Sequence, residues 1–172
     1  MKAEFFSSQW DAAAISQSLS ETLSRLVHRA QQPEQPAARA IQAPSFSTTQ
    51  LHEAAEELCK AGKFRKAIPV AMQYFMQDAN DPRAAFLLAT CLQRMGHDAL
   101  ALPVLGYSAM LEGTEMSPGT LFVAGECLAS LDRVDEASMA YDATVEASRS
   151  DAAHAHIFEL ATRRGDSLRP RR

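Results

Sequence analysis

Ala61-Gly62-Lys63-Phe64 with Ala67-Ile68-Pro69-Val70, and 34 residues later Met95-Gly96-His97-Asp98 with Ala101-Leu102-Pro103-Val104, are two copies of one pattern. A period of that length holds two antiparallel helices and their turns. Such a pair cannot bury its apolar face alone, so several must stack. Working outward, the first unit starts at Thr48, the second at Pro82 and the third at Pro118, with two extra residues in the turn around Glu115–Ser117. Three columns then agree across the units. Position 8 is small (Ala55, Ala89, Gly125), position 11 is leucine (Leu58, Leu92, Leu128) and position 20 is alanine (Ala67, Ala101, Ala137).

This register resembles the tetratricopeptide repeat. The expected fold is all-α, with three helix-turn-helix repeats (48–81, 82–117 and 118–149) forming a short solenoid. Pro69 and Pro103 fall at position 22, which predicts that they occupy the opening turn of each second helix, where a missing N–H does no harm. Ahead of the repeats, residues 1–30 contain an amphipathic helix with Ile15, Leu19, Leu23, Leu26, Val27 and Ala30 on one stripe. Residues 31–47, with Pro33, Pro36 and Pro44 among Gln and Ala, read as a linker. Ser150-Asp151 followed by Ala153, Ile157, Leu160 and Ala161 predicts a capping helix over 150–165, closed at Gly165, and 166–172 would be a mobile basic tail.

Composition narrows the function classes. The chain has 172 residues, 47% of them hydrophobic and only 7 of them glycine, enough for one packed helical domain. Net charge is −4, and residues 48–162 carry 16 acids against 8 bases, which argues against a nucleic-acid groove. No stretch reaches the roughly 18 apolar residues of a membrane span. Met1-Lys2-Ala3-Glu4-Phe5-Phe6 has neither the apolar run nor the cleavage site of a secretory signal, so a cytoplasmic protein with no membrane partner is expected. Cys59, Cys91 and Cys127 show no C-x-x-C spacing and read as reduced thiols in helix packing.

No catalytic, metal or cofactor site is expected. Ala61-Gly62-Lys63-Phe64 lacks the upstream glycine and the Ser/Thr of a phosphate loop. His154 and His156 stand two apart on a helix and diverge. Glu56-Glu57 and Asp135-Glu136 read as solvated helix faces. Function is expected instead on the concave face, which first helices line in this repeat. Its candidate residues are His52, Glu56 and Cys59 from the first unit, Arg83, Phe86, Thr90 and Gln93 from the second, and Phe122 and Glu126 from the third. Exposed, Phe86 and Phe122 would be hydrophobic anchors for an extended peptide; their other reading is packing between units.

Three blocks carry a narrower resemblance: Ala61 to Phe64 through Ala67; Phe86-Leu87-Leu88-Ala89-Thr90-Cys91 with Met95-Gly96; and Gly106-Tyr107-Ser108-Ala109 followed by Phe122-Val123-Ala124-Gly125-Glu126-Cys127-Leu128. With them the chain resembles the class II chaperones of bacterial type III secretion systems. The resemblance implies a cytoplasmic, non-enzymatic chaperone that holds secreted translocator proteins by an extended segment before export. It also implies a homodimer formed through the N-terminal helix. Phe5, Phe6 and Trp10, beside the stripe of Ile15, Leu19 and Leu23, suit that role and equally suit packing on the first repeat. One departure is marked, because the family usually has aromatics at the sites of His52, Glu56 and Cys59. The alternative is a generic tetratricopeptide adaptor. Its carboxylate-clamp form is disfavoured by Glu56 and Glu126, which would repel an acidic terminus.

Overall fold

The computed structural model describes residues 46–114 and 116–169, and all regular structure in them is helical. Three helix pairs follow one another: α1 (Thr48–Lys60) with α2 (Phe64–Gln77), α3 (Pro82–Arg94) with α4 (Asp98–Glu112), and α5 (Pro118–Ser130) with α6 (Val134–Ser148). A 3₁₀ turn, Ala152–His154, leads into α7 (Ala155–Leu168). The expected all-α repeat fold is the one observed. The expected N-terminal helix, most of the linker, and the dimerisation residues Phe5, Phe6, Trp10, Ile15, Leu19 and Leu23 lie outside the described residues.

Each first helix begins on a side-chain cap one residue ahead of its unit. Ser47 and Gln50 form a reciprocal capping box, Asp81 accepts from the Arg83 N–H, and Ser117 accepts from the Thr120 N–H. Each ends on the same closure. Lys63, His97 and Arg133 donate their N–H to the carbonyls of Leu58, Leu92 and Leu128, at 2.8, 2.9 and 2.9 Å. That six-residue bond needs a left-handed residue just before the donor. Gly62 (φ 68°) and Gly96 (φ 74°) supply it, and in the third unit Asp132 (φ 58°) takes the same place.

Because that turn fixes where the second helices begin, Pro69 and Pro103 are the sixth residues of α2 and α4, not part of their opening turns. Each leaves a carbonyl four residues back, on Arg65 or Ala99, without an N–H donor. Both of those residues are exposed, so water can hydrate the freed oxygens.

The columns of small residues explain the stacking. Ala55, Ala89, Ala67, Ala101 and Ala137 are fully enclosed, letting helix axes approach closely around Tyr74, Leu88, Leu92, Leu105 and Tyr141. Between the second and third units the longer turn is held by Glu112. Its carboxylate accepts from the Ser117 N–H at 2.5 Å and the Thr120 hydroxyl at 2.7 Å, with Ser108 Oγ 3.2 Å away.

Helix α7 stands against α5 and α6 as α5 stands against α3 and α4, so it covers the end of the array. Its limits differ from expectation. Asp151 caps the 3₁₀ turn, and the helix runs through Gly165 to Leu168. Gly165 is buried, and a Cβ there would lie 3.6 Å from Tyr141 Cβ, so this glycine serves helix packing and does not stop the helix. Arg169, expected in a mobile tail, pairs with Asp142 at 2.9 Å.

Candidate peptide-binding face

The first helices touch one another directly, α1 with α3 and α3 with α5, while the second helices stand further apart. In a stacked array the helices that crowd together lie on the inner, shorter-radius side. The face made by α1, α3 and α5 is therefore concave. All the candidate residues on it are half-buried except Arg83, which is exposed.

At the first-unit end, the His52 ring meets Tyr74 edge-on with centroids 5.5 Å apart, and its Nε2 lies 3.5 Å from Glu56. Glu56 accepts from Lys60 at 3.1 Å, and this bond, helped by the charges of Lys60 and Arg83, holds its carboxyl below the ordinary range. The Cys59 sulfur lies 3.2 Å from that of Cys91. Across the middle, Phe86 packs near Gly119, where a Cβ would stand 3.4 Å from its ring. The Phe122 ring lies 5.9 Å from that of Tyr141. Among the described residues, His52 Nδ1 and Thr90 Oγ1 are enclosed and have no hydrogen-bond partner.

Two candidates are already engaged. Arg83 forks onto Asp81, with Nε 3.0 Å and Nη2 2.7 Å from its oxygens, and so serves the α3 cap. Glu126 accepts from the Tyr141 hydroxyl at 2.7 Å and pairs with Arg164 of α7 at 3.0 Å. Burial, then the Glu126 bond, push the Tyr141 hydroxyl well above its usual range. His52, Glu56 and Cys59 thus lie on α1, Phe86, Thr90 and Gln93 on α3 and Phe122 on α5, while Glu126 belongs to the seam with α7.

Sequence reading missed Tyr74, Tyr141 and Arg164, which position these groups. A tyrosine opposite a carboxylate 7 or 15 residues away carries no local signal. Among the described residues no group of three His, Cys, Asp or Glu side chains converges as a metal site, and no helix is long and apolar enough to cross a membrane.

A family model for the anaphase-promoting complex, cyclosome, subunit 3, matches residues 60–144, within the repeats. No curated protein matches the chain in sequence. Among solved structures, PcrH from Pseudomonas aeruginosa is 23% identical with a TM-score of 0.65, over 76% of this chain and 98% of that one. The Yersinia enterocolitica type III secretion chaperone SycD, in complex with a peptide of the translocator YopD, is 24% identical with a TM-score of 0.65, over 72% and 94%. The first tetratricopeptide domain of human RPAP3 is similar at 17% identity and a TM-score of 0.58, over 70% and 94%. The chain has the tetratricopeptide fold that these proteins share.

Proposed function

We propose that this protein is a cytoplasmic, non-enzymatic chaperone of a bacterial type III secretion system, which holds an extended segment of a pore-forming translocator on its concave face. The observation that carries the reading is the inner face from His52 to Phe122. There the half-buried rings of Phe86 on α3 and Phe122 on α5 accompany the partly exposed polar residues Glu56, Thr90 and Gln93. Supporting it, PcrH has been crystallised with the chaperone-binding regions of PopD and of PopB, and SycD with a YopD peptide. On this reading the protein is a homodimer formed through its N-terminal helix.

Where that family usually carries aromatics, this chain has His52, Glu56 and Cys59. Each anchor side chain fully buried contributes about 1.5 to 3 kcal/mol. The first-unit end is therefore expected to accept a smaller, more polar side chain, and the bound motif to differ accordingly.

The test is affinity capture of the tagged full chain from its native bacterium, with mass spectrometry of what co-purifies. One or two secreted proteins with membrane-inserting segments are expected. Cytosolic housekeeping partners alone would replace the reading with a generic adaptor.

A further inference from the structure

Cys59 lies in the last turn of α1 and Cys91 in α3, so the pair bridges the first two units. Their sulfurs are 3.2 Å apart and neither is in a disulfide. A disulfide needs about 2.05 Å between sulfurs, and a closure of about 1.2 Å is small enough for side-chain torsions and slight helix adjustment to supply. The two thiols also differ in access: Cys59 is half-buried on the concave face, whereas Cys91 is fully enclosed.

We propose that Cys59 and Cys91 form a dithiol modification site, which a two-electron oxidant such as a peroxide closes into an intramolecular disulfide between α1 and α3. The proposal stands on this juxtaposition and does not depend on the peptide-binding reading.

The steps balance. The Cys59 thiolate attacks one peroxide oxygen, the O–O bond breaks, and the released hydroxide takes up the thiol's proton to leave as water. Cys59 is then a sulfenic acid. The Cys91 sulfur attacks the Cys59 sulfur, the S–O bond breaks, and the departing hydroxide takes the Cys91 proton as a second water. Two thiols and one peroxide become one disulfide and two waters. Burial, and then the Cys59 contact, push the Cys91 thiol well up, so the second step is expected to quicken as pH rises. A dithiol reductant reverses the bond. Cys127 is enclosed beside Asp98 and serves as the internal control.

The reduced full chain is treated with a few equivalents of hydrogen peroxide, blocked with a thiol alkylator under denaturing conditions, digested without reduction and mapped by mass spectrometry. The expected product has lost two hydrogens, joins the Cys59 peptide to the Cys91 peptide within one chain, and leaves Cys127 alkylated. Cys127→Ser keeps the link; Cys59→Ser leaves Cys91 alkylated. Any of three results would overturn the proposal: Cys59 driven to sulfinic acid without a link, a Cys59 bond between two chains, or all three thiols still alkylated at peroxide levels that oxidise free cysteine. The decisive map uses the unsubstituted protein, so it holds even if a variant fails to fold.

Discussion

Tyr141 occupies the space into which a side chain on Gly125 would project: a Cβ there would lie 2.7 Å from Tyr141 Cε1 and 2.9 Å from Cδ1. The ring cannot swing aside, because it is fully enclosed and its hydroxyl is bonded to Glu126. Position 8, alanine in the first two units, is glycine in the third because the third unit fills its interior with this ring.

Gly125→Ala is accordingly expected to destabilise the protein by about 1 to 3 kcal/mol through overpacking, outweighing the gain in helix propensity of roughly 1 kcal/mol. Urea unfolding should show a lower midpoint at unchanged slope. A variant as stable as the parent would mean that the ring has room to move.

The bond from Tyr141 to Glu126 can be weighed separately from the pairing with Arg164. Tyr141→Phe removes a hydrogen bond to a charged acceptor and should cost about 1.5 kcal/mol. Arg164→Ala breaks an exposed pair and should cost less than about 1 kcal/mol. A double-mutant cycle on these two positions reads their coupling directly, and a larger loss from Arg164→Ala would reverse the ranking.

Asp132 adopts the left-handed backbone that Gly62 and Gly96 adopt in the other units. Replacing it by glycine should stabilise the third unit by up to about 1 kcal/mol, and Gly62→Ala or Gly96→Ala should cost about 1 kcal/mol each. No atom stands within 4 Å of a Cβ at Gly62 or Gly96, so any loss there reports backbone strain and not a clash. Thermal unfolding of the three variants checks the opposite signs.

Two linked groups are expected to act at opposite ends of the pH range. The Arg83 fork, and after it the Tyr74 hydroxyl, hold Asp81 down from 3.8 to about 2. A carboxyl depressed on folding stabilises the protein above its unfolded pKa, and that contribution should disappear as pH falls from 3.8 through about 2. Burial, followed by the Asp81 bond, raises Tyr74 from 10.0 to about 12. A tyrosine raised on folding stabilises below its unfolded pKa, so this contribution should fade as pH climbs from 10.0 through about 12. Asp81→Asn should flatten the acid limb and Tyr74→Phe the alkaline one in stability–pH curves; unchanged limbs would mean that other groups govern them.

On the concave face, Phe86→Ala and Phe122→Ala should each weaken binding of a captured cargo segment about tenfold, or about 1.4 kcal/mol. Helical content by circular dichroism should be retained. Unchanged affinity in both variants would remove the concave-face reading.

The repeat was legible because its determinants are local and recur: an alanine column, a leucine that accepts the closing bond, a glycine at the turn. The cap column Ser47, Asp81 and Ser117 was equally available, one residue ahead of each unit. Proline misled where it is usually informative. Pro69 and Pro103 suggested helix starts, but the glycine turn ahead of them had already fixed those starts. Glu126 read as an open groove residue because its partner Arg164 lies 38 residues away on a helix outside the repeat pattern. Gly165 read as a stop because a glycine chosen for close packing looks the same in sequence as one chosen for a turn. The contact of Cys59 with Cys91 joins positions 12 and 10 of successive units, so no column reveals it.

Because α7 fills the place that a fourth unit's first helix would take against α5 and α6, the described array is a ruler closed at its C-terminal end. The two intervals between α1, α3 and α5, at about 10 Å each, give an edge of roughly 20 Å. An extended chain advances about 3.3 Å per residue, so on the proposed reading the edge would match about six residues of cargo. Such a ruler is lengthened by duplicating a unit at an internal joint, not by adding one beyond α7, where the Arg164 and Arg169 pairs are already made.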